Sequence, residues 1–185
     1  MILRRLLARF DPEPPQRRLY RRIVEQSRQP AFYARLGVPD TVNGRFDMIT
    51  LHAFLVMNRL RHEGSAEAAE FSQALFDEMF LDMDHNLREM GVADTSVGKH
   101  VRRMSEVFFG RVAAYREALD AGDEEALKDA FRRNIFEGKA RPAALSALLA
   151  YVTAAERKLR DMPFSALRRG EVTFPPPPGA DTEER

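Results

Sequence analysis

Residues 71–90 read FSQALFDEMFLDMDHNLREM. Phe71, Leu75, Phe76, Met79, Phe80, Met83, Leu87 and Met90 recur at the spacing that lays one long apolar stripe along an α-helix. Ser65, followed by Glu67 and Ala68, opens this helix, and Gly91 stops it. A second long helix follows from about Thr95 or Ser96, both suited as N-caps. It carries Val97, Val101, Met104, Phe108, Val112, Tyr115 and Leu119 as far as Gly122.

Working outward, the same periodicity continues on both sides. Residues 43–63 place Phe46, Ile49, Leu51, Phe54, Leu55, Val56 and Leu60 on more than one face, which predicts a central helix. Before it, residues 15–28 form a helix on Leu19, Ile23 and Val24, with Tyr20 beside that face. Pro30 then opens a short helix ended by Gly37 and Pro39. After the long pair come helices over 123–136 and 142–161 and a short turn from Pro163 to Gly170. No run joins β-branched alternation to hairpin signals, so no sheet is expected. The expectation is an all-α single-domain bundle of about seven helices over residues 15–170. A basic amphipathic segment, 1–14, precedes it, with Ile2, Leu3, Leu6, Leu7 and Phe10 at helical spacing. A Pro-rich, charged tail, 171–185, is expected to be disordered.

The 185 residues carry 29 basic and 28 acidic side chains, a formal net charge of +1, and no cysteine. Disulfides, zinc–thiolate sites, iron–sulfur ligation and thiol catalysis are excluded together. No bulk attraction to DNA or membrane follows from the charge, and no apolar run reaches the 18 residues of a membrane span. The N-terminus lacks a secretory pattern, so a soluble, cytoplasmic protein is expected. Charge is nonetheless segregated: residues 65–94 hold eight acids against one Arg, and residues 99–116 hold five Lys or Arg against Glu106.

Candidate chemistry falls away on inspection. Between Gly91 and Gly98-Lys99 six residues intervene and His100 follows, where a phosphate loop needs four residues and a hydroxyl. Asp82 and His85 have the i, i+3 spacing of helical di-metal sites, but no second Glu-x-x-His exists. On a helical projection Asp77, Asp84 and Arg88 flank the apolar stripe, while Glu78, Asp82, His85 and Glu89 fall on the outer face. A solvated acidic face is therefore expected, with no metal and no cofactor. His52 lies in an apolar helix without a nearby nucleophile and is expected to be buried and hydrogen-bonded. Asp47 is expected to cap its helix or pair with Arg45. Lys99, Arg102, Arg103 and Arg111 fit salt bridges to the acidic helix or contacts to phosphates. Met48, Met57, Met79, Met83 and Met90 are expected in the core; exposed, they would line a forgiving groove. The residues alone therefore describe a soluble helical binder.

Four stretches add a resemblance. They are Phe32-Tyr33 with Leu36-Gly-Val-Pro-Asp-Thr41; Gly44-Arg-Phe-Asp-Met48 with Leu51-His52 and Arg59-Leu60; Leu75 to Asp84 with Leu87-Arg-Glu-Met-Gly91; and Val97-Gly-Lys99 with Met104 and Phe109-Gly-Arg111. Over about residues 18–160 the chain resembles the ubiquinol–cytochrome c chaperone family, bacterial relatives of the mitochondrial assembly factor for cytochrome b. The resemblance implies an all-α chaperone for assembly of the cytochrome bc complex, without catalysis or cofactor. It implies newly made cytochrome b or an assembly intermediate as partner, with ribosome association and peripheral inner-membrane contact as further expectations. Its motif segments contain Arg45, Asp47, His52, Asp77, Asp82, Asp84, Arg88, Lys99 and Arg111, expected as a polar network or partner surface. Two alternatives stand beside it: an RNA- or ribosome-binding helical protein, and a metal-dependent helical enzyme using the acidic helix.

Overall fold

A computed structural model of the chain describes residues 13–179. Among these, eight helices follow in order and there is no strand: α1 Pro15–Ser27, α2 Pro30–Ala34, α3 Val42–Glu63, α4 Ala66–Glu89, α5 Asp94–Ala121, α6 Glu124–Asn134, α7 Pro142–Arg160 and the single turn α8 Phe164–Arg168. Of the expected basic segment at residues 1–14, all but Glu13 and Pro14 lies outside the described residues, as do residues 180–185. Among the described residues no helix is long and apolar enough to cross a membrane.

Local chemistry sets the helix starts. The Thr41 hydroxyl accepts from the Gly44 N–H at 3.1 Å, the Ser65 hydroxyl from Ala68 at 3.1 Å, and the Asp123 carboxylate from Ala126 at 2.9 Å, each satisfying a donor that the first turn leaves free. The expected cap of α5 is different: the helix opens at Asp94, and its N-cap, Ala93, offers no side chain. Asp94 instead accepts from Arg88 of α4, so the charge near this N-terminus is supplied from the first turn. Gly44 has a steric role. A Cβ there would stand 2.0 Å from the Pro39 carbonyl oxygen, so only glycine lets the 39–41 loop fold back onto the first turn of α3.

The core is organised around α3, which packs against α1, α4, α5 and α7. It buries most of its residues, including Asp47, Thr50, His52 and Asn58, as its many-sided apolar pattern requires. Further packing joins α1 to α4, α4 to α5, α5 to α6, and α6 to α7. Burying each large apolar side chain contributes about 1.5–3 kcal/mol, and all but a few lie inside.

The C-terminal stretch differs from expectation as far as it is described. Residues 171–179 lie on the domain: Val172 and Phe174 pack against the core. The Phe174 carbonyl accepts from Lys158 Nζ at 3.1 Å, and the Pro175 carbonyl accepts from Gln26 Nε2 at 3.2 Å. Proline composition argued for a free tail, but two apolar side chains beside the prolines are enough to hold the segment down.

Candidate functional site

The sequence-selected polar residues separate into three places. His52 is fully buried on α3. Its Nδ1 lies 2.7 Å from the Met48 carbonyl and its Nε2 2.8 Å from the Tyr151 hydroxyl. Gln26 donates to that hydroxyl at 2.9 Å, and the Phe174 ring stands edge-on to the imidazole at 5.2 Å between centroids. Burial pushes the His52 pKa down to about 4. This histidine ties α1, α3, α7 and the C-terminal stretch together.

The acidic helix α4 is less solvated than its projection suggested. Glu78 pairs with Arg17 at 2.6 Å, and Asp82 accepts from the Tyr20 hydroxyl at 2.8 Å, so both face α1. Burial, with the Asp82 carboxylate as second cause, drives the Tyr20 pKa upward. Asp84 accepts from Arg88 at 2.7 Å, and this bond holds its carboxyl below the usual range. Asp77 accepts from Gln73 at 2.8 Å. Lys99 is exposed, with no bonded partner among the described residues. The expected ladder between the α4 acids and the α5 basic group does not form: Arg102 pairs with Glu106 on its own helix, and Arg111 with Asp47 of α3. Among the described residues no group of three or more His, Asp or Glu could hold a metal ion.

The third place is a groove of about 660 Å³ bounded by α3, α4, α5 and α6. Phe46, Ile49, Met83, Leu87 and Met104 form its floor. Val42, Met90 and Val107 stand on its edge, 61%, 54% and 37% exposed. They are three of only five large apolar side chains that the described residues leave in solvent, so the exposed hydrophobicity converges here. The methionines thus divide: Met48 and Met79 are fully buried, Met57 is partly buried, and Met83 and Met90 line the groove.

Charge in the groove is mostly positive. Arg28, Arg45, His100, Arg103, Arg111 and Arg133 line it, against Asp47 and Glu137. Arg45 pairs with Asp40 at 2.7 Å rather than with Asp47. Arg111 instead pairs with buried Asp47 and lies 5.7 Å from the Phe46 ring centroid, so one guanidinium is held by a carboxylate and a π face together. Burial raises the Asp47 pKa to about 7 despite the opposing pull of Arg111. The other four, Arg28, His100, Arg103 and Arg133, are exposed and form no ion pair among the described residues. Sequence reading brought Arg45, Asp47 and Arg111 to this site, but not Arg28, His100, Arg133, Val42 or Val107. One signal was available. His100, Arg103, Met104, Val107 and Arg111 follow steps of three, one, three and four, a mixed stripe beside the apolar one.

The sequence pattern of a family described as Ubiquinol-cytochrome C chaperone matches residues 34–174, which takes in α3 to α8 and most of the groove. The chain belongs to the ubiquinol–cytochrome c chaperone family. It is 26% identical over 136 residues to the ubiquinol-cytochrome-c reductase complex assembly factor 1 of Xenopus laevis, covering 73% of this chain and 67% of the frog protein. It is 28% identical over 161 residues to the Mus musculus protein of the same description, covering 86% of this chain and 54% of that one. The chain therefore spans two thirds of the frog relative and about half of the mouse relative. Among solved structures, the crystal structure of the Cbp3 homolog from Brucella abortus superposes with a TM-score of 0.79 at 38% identity, covering 95% of this chain and 97% of that one.

Proposed function

We propose that this chain is a non-catalytic assembly chaperone of the ubiquinol–cytochrome c reductase. It holds newly made cytochrome b, or an intermediate containing it, through the α3–α6 groove. The observation that carries the reading is the convergence of Val42, Met90 and Val107 on one groove. Unbranched Met83, Met90 and Met104 adapt to apolar partners of differing shape. The groove volume suits a few large side chains of a partner segment rather than a folded domain. Binding without covalent chemistry suffices for the task. A chaperone at about a hundredfold excess over its Kd stabilises the bound state by about 2.7 kcal/mol, and yields it to a tighter-binding subunit. The titratable groups support this reading: His52 is enclosed by its hydrogen bonds, and Asp47 faces Arg111.

The test is a pull-down from mildly solubilised membranes with the tagged full chain and its Val107→Asp variant. We expect the wild type to enrich cytochrome b or its partner subunits. The variant should lose at least about nine tenths of that signal, as a charge placed in an apolar contact costs well over 1 kcal/mol, with its helical circular dichroism unchanged. Equal capture by both proteins, or no subunit of the complex with the wild type, would refute the proposal. A ribosome contact is a second reading, favoured by exposed and unpaired Lys99 on α5; it requires cosedimentation with ribosomes that falls steeply with salt. A membrane contact through residues 1–10 rests on their sequence alone.

A further inference from the structure

Apolar side chains explain why the groove binds, but not why its surroundings are so one-sidedly cationic. Five Arg line it against Asp47 and Glu137, and one of those two carboxylates is already engaged by Arg111. Arg28 follows the end of α1, Arg103 belongs to α5 and Arg133 to α6. Three separate elements therefore bring an unpaired guanidinium to one apolar cavity. Most Arg elsewhere on the surface are paired, as in Arg17 with Glu78, Arg61 with Asp120 and Arg168 with Glu67; Arg116, Arg141 and Arg157 meet no carboxylate among the described residues, but they are scattered and none lines this groove. Unpaired Arg beside exposed apolar side chains is what an interface leaves open when its partner brings the countercharges.

Building on the client-binding reading above, we infer that the groove selects a polypeptide segment in which acidic side chains alternate with apolar ones. The apolar side chains enter over Met83, Leu87 and Met104, and the carboxylates meet Arg28, Arg103 and Arg133. Guanidinium forks match carboxylates in bidentate geometry. A segment lacking acids is disfavoured, because it would cover these guanidinium groups without pairing them. Single-stranded RNA fits less well: it needs a platform of exposed aromatic faces for stacking, but the one Phe, Tyr or Trp among the lining residues, Phe46, is buried beneath Arg111, which leaves only the His100 ring exposed. A single lipid headgroup leaves most of the guanidinium charge unmatched.

The experiment places a photo-crosslinking amino acid at Val107 in the full chain, with a second copy of the chain carrying it at exposed Ala150 as control. Crosslinks are formed in membranes from cells making the cytochrome bc complex, and the attached segment is sequenced. We expect the Val107 crosslink to map to a stretch with net negative charge and apolar side chains between the acids. Its yield should fall about tenfold or more in an Arg103→Glu, Arg133→Glu background of unchanged melting temperature. A crosslink to a neutral or basic segment, to RNA or to lipid would overturn the inference, as would a yield that ignores the two charge reversals. Absence of any Val107 crosslink overturns it as well. Co-purification of the complex's subunits in the same sample then tells whether only this surface has failed or the chaperone reading with it.

Discussion

His52 and Asp47 occupy the same helix and respond to burial in opposite ways. His52 is held neutral, its pKa lowered from 6.5 to about 4. Between those values the unfolded chain takes up a proton that the folded chain refuses, so this residue erodes stability as pH falls. Asp47 has its pKa raised from 3.8 to about 7. The unfolded carboxyl is then ionised while the folded one resists ionisation, so Asp47 erodes stability as pH rises through the same window. Each effect is limited to roughly 3–4 kcal/mol. In urea titrations between pH 4 and 7, His52→Gln should therefore tilt the stability–pH slope downward relative to the parent, and Asp47→Asn should tilt it upward. Matching slopes for parent and both variants would show that neither site is desolvated as described. The burial of His52 was legible in its apolar neighbours. The partner of Asp47 was not, because Arg111 lies 64 positions away and Arg45 two positions away. Side chains two positions apart on a helix point in different directions, so sequence proximity favoured the wrong arginine.

At the scale of elements, glycine separates two kinds of helix. Gly44 is wedged against the Pro39 carbonyl, whereas an added Cβ at Gly98 or Gly110 of α5 would meet nothing within 4 Å. Gly44→Ala should destabilise the fold by about 1–3 kcal/mol through overpacking. Gly98→Ala should stabilise it by roughly 0.5–1 kcal/mol, through backbone entropy alone. Thermal melts of the two variants check both signs at once. Helix existence and order were readable from period, caps and glycine stops, since each long helix has an apolar stripe of its own. Their mutual orientation was not readable. The α4 acids that a projection placed in solvent meet Tyr20 and Arg17 on α1, because helix packing, and not the helix itself, decides which polar face is covered. For the same reason α5 resembled a simple amphipathic helix, and its second stripe became a groove wall only through the positions of α3 and α6.

Across the whole molecule the C-terminal stretch closes the structure. Phe174 stands on His52, and Gln26 of α1 reaches both Tyr151 and the Pro175 carbonyl. Phe174→Ala should lower stability by about 2 kcal/mol and the melting temperature by about 4–8 °C; an unchanged melt would mean that the stretch rests on the domain without supporting it. These contacts also have a temporal side. Arg18 donates to the Arg169 carbonyl across 151 positions, and Gln26 to the Pro175 carbonyl across 149. During synthesis α1 therefore emerges 149 to 151 positions ahead of the backbone that completes its surroundings. Until then the buried face of α1 lacks part of its cover, and such long-range closure is slow. A member of a chaperone family thus keeps its own helix α1 incompletely sheltered during translation until the stretch around residues 169–175 has left the ribosome.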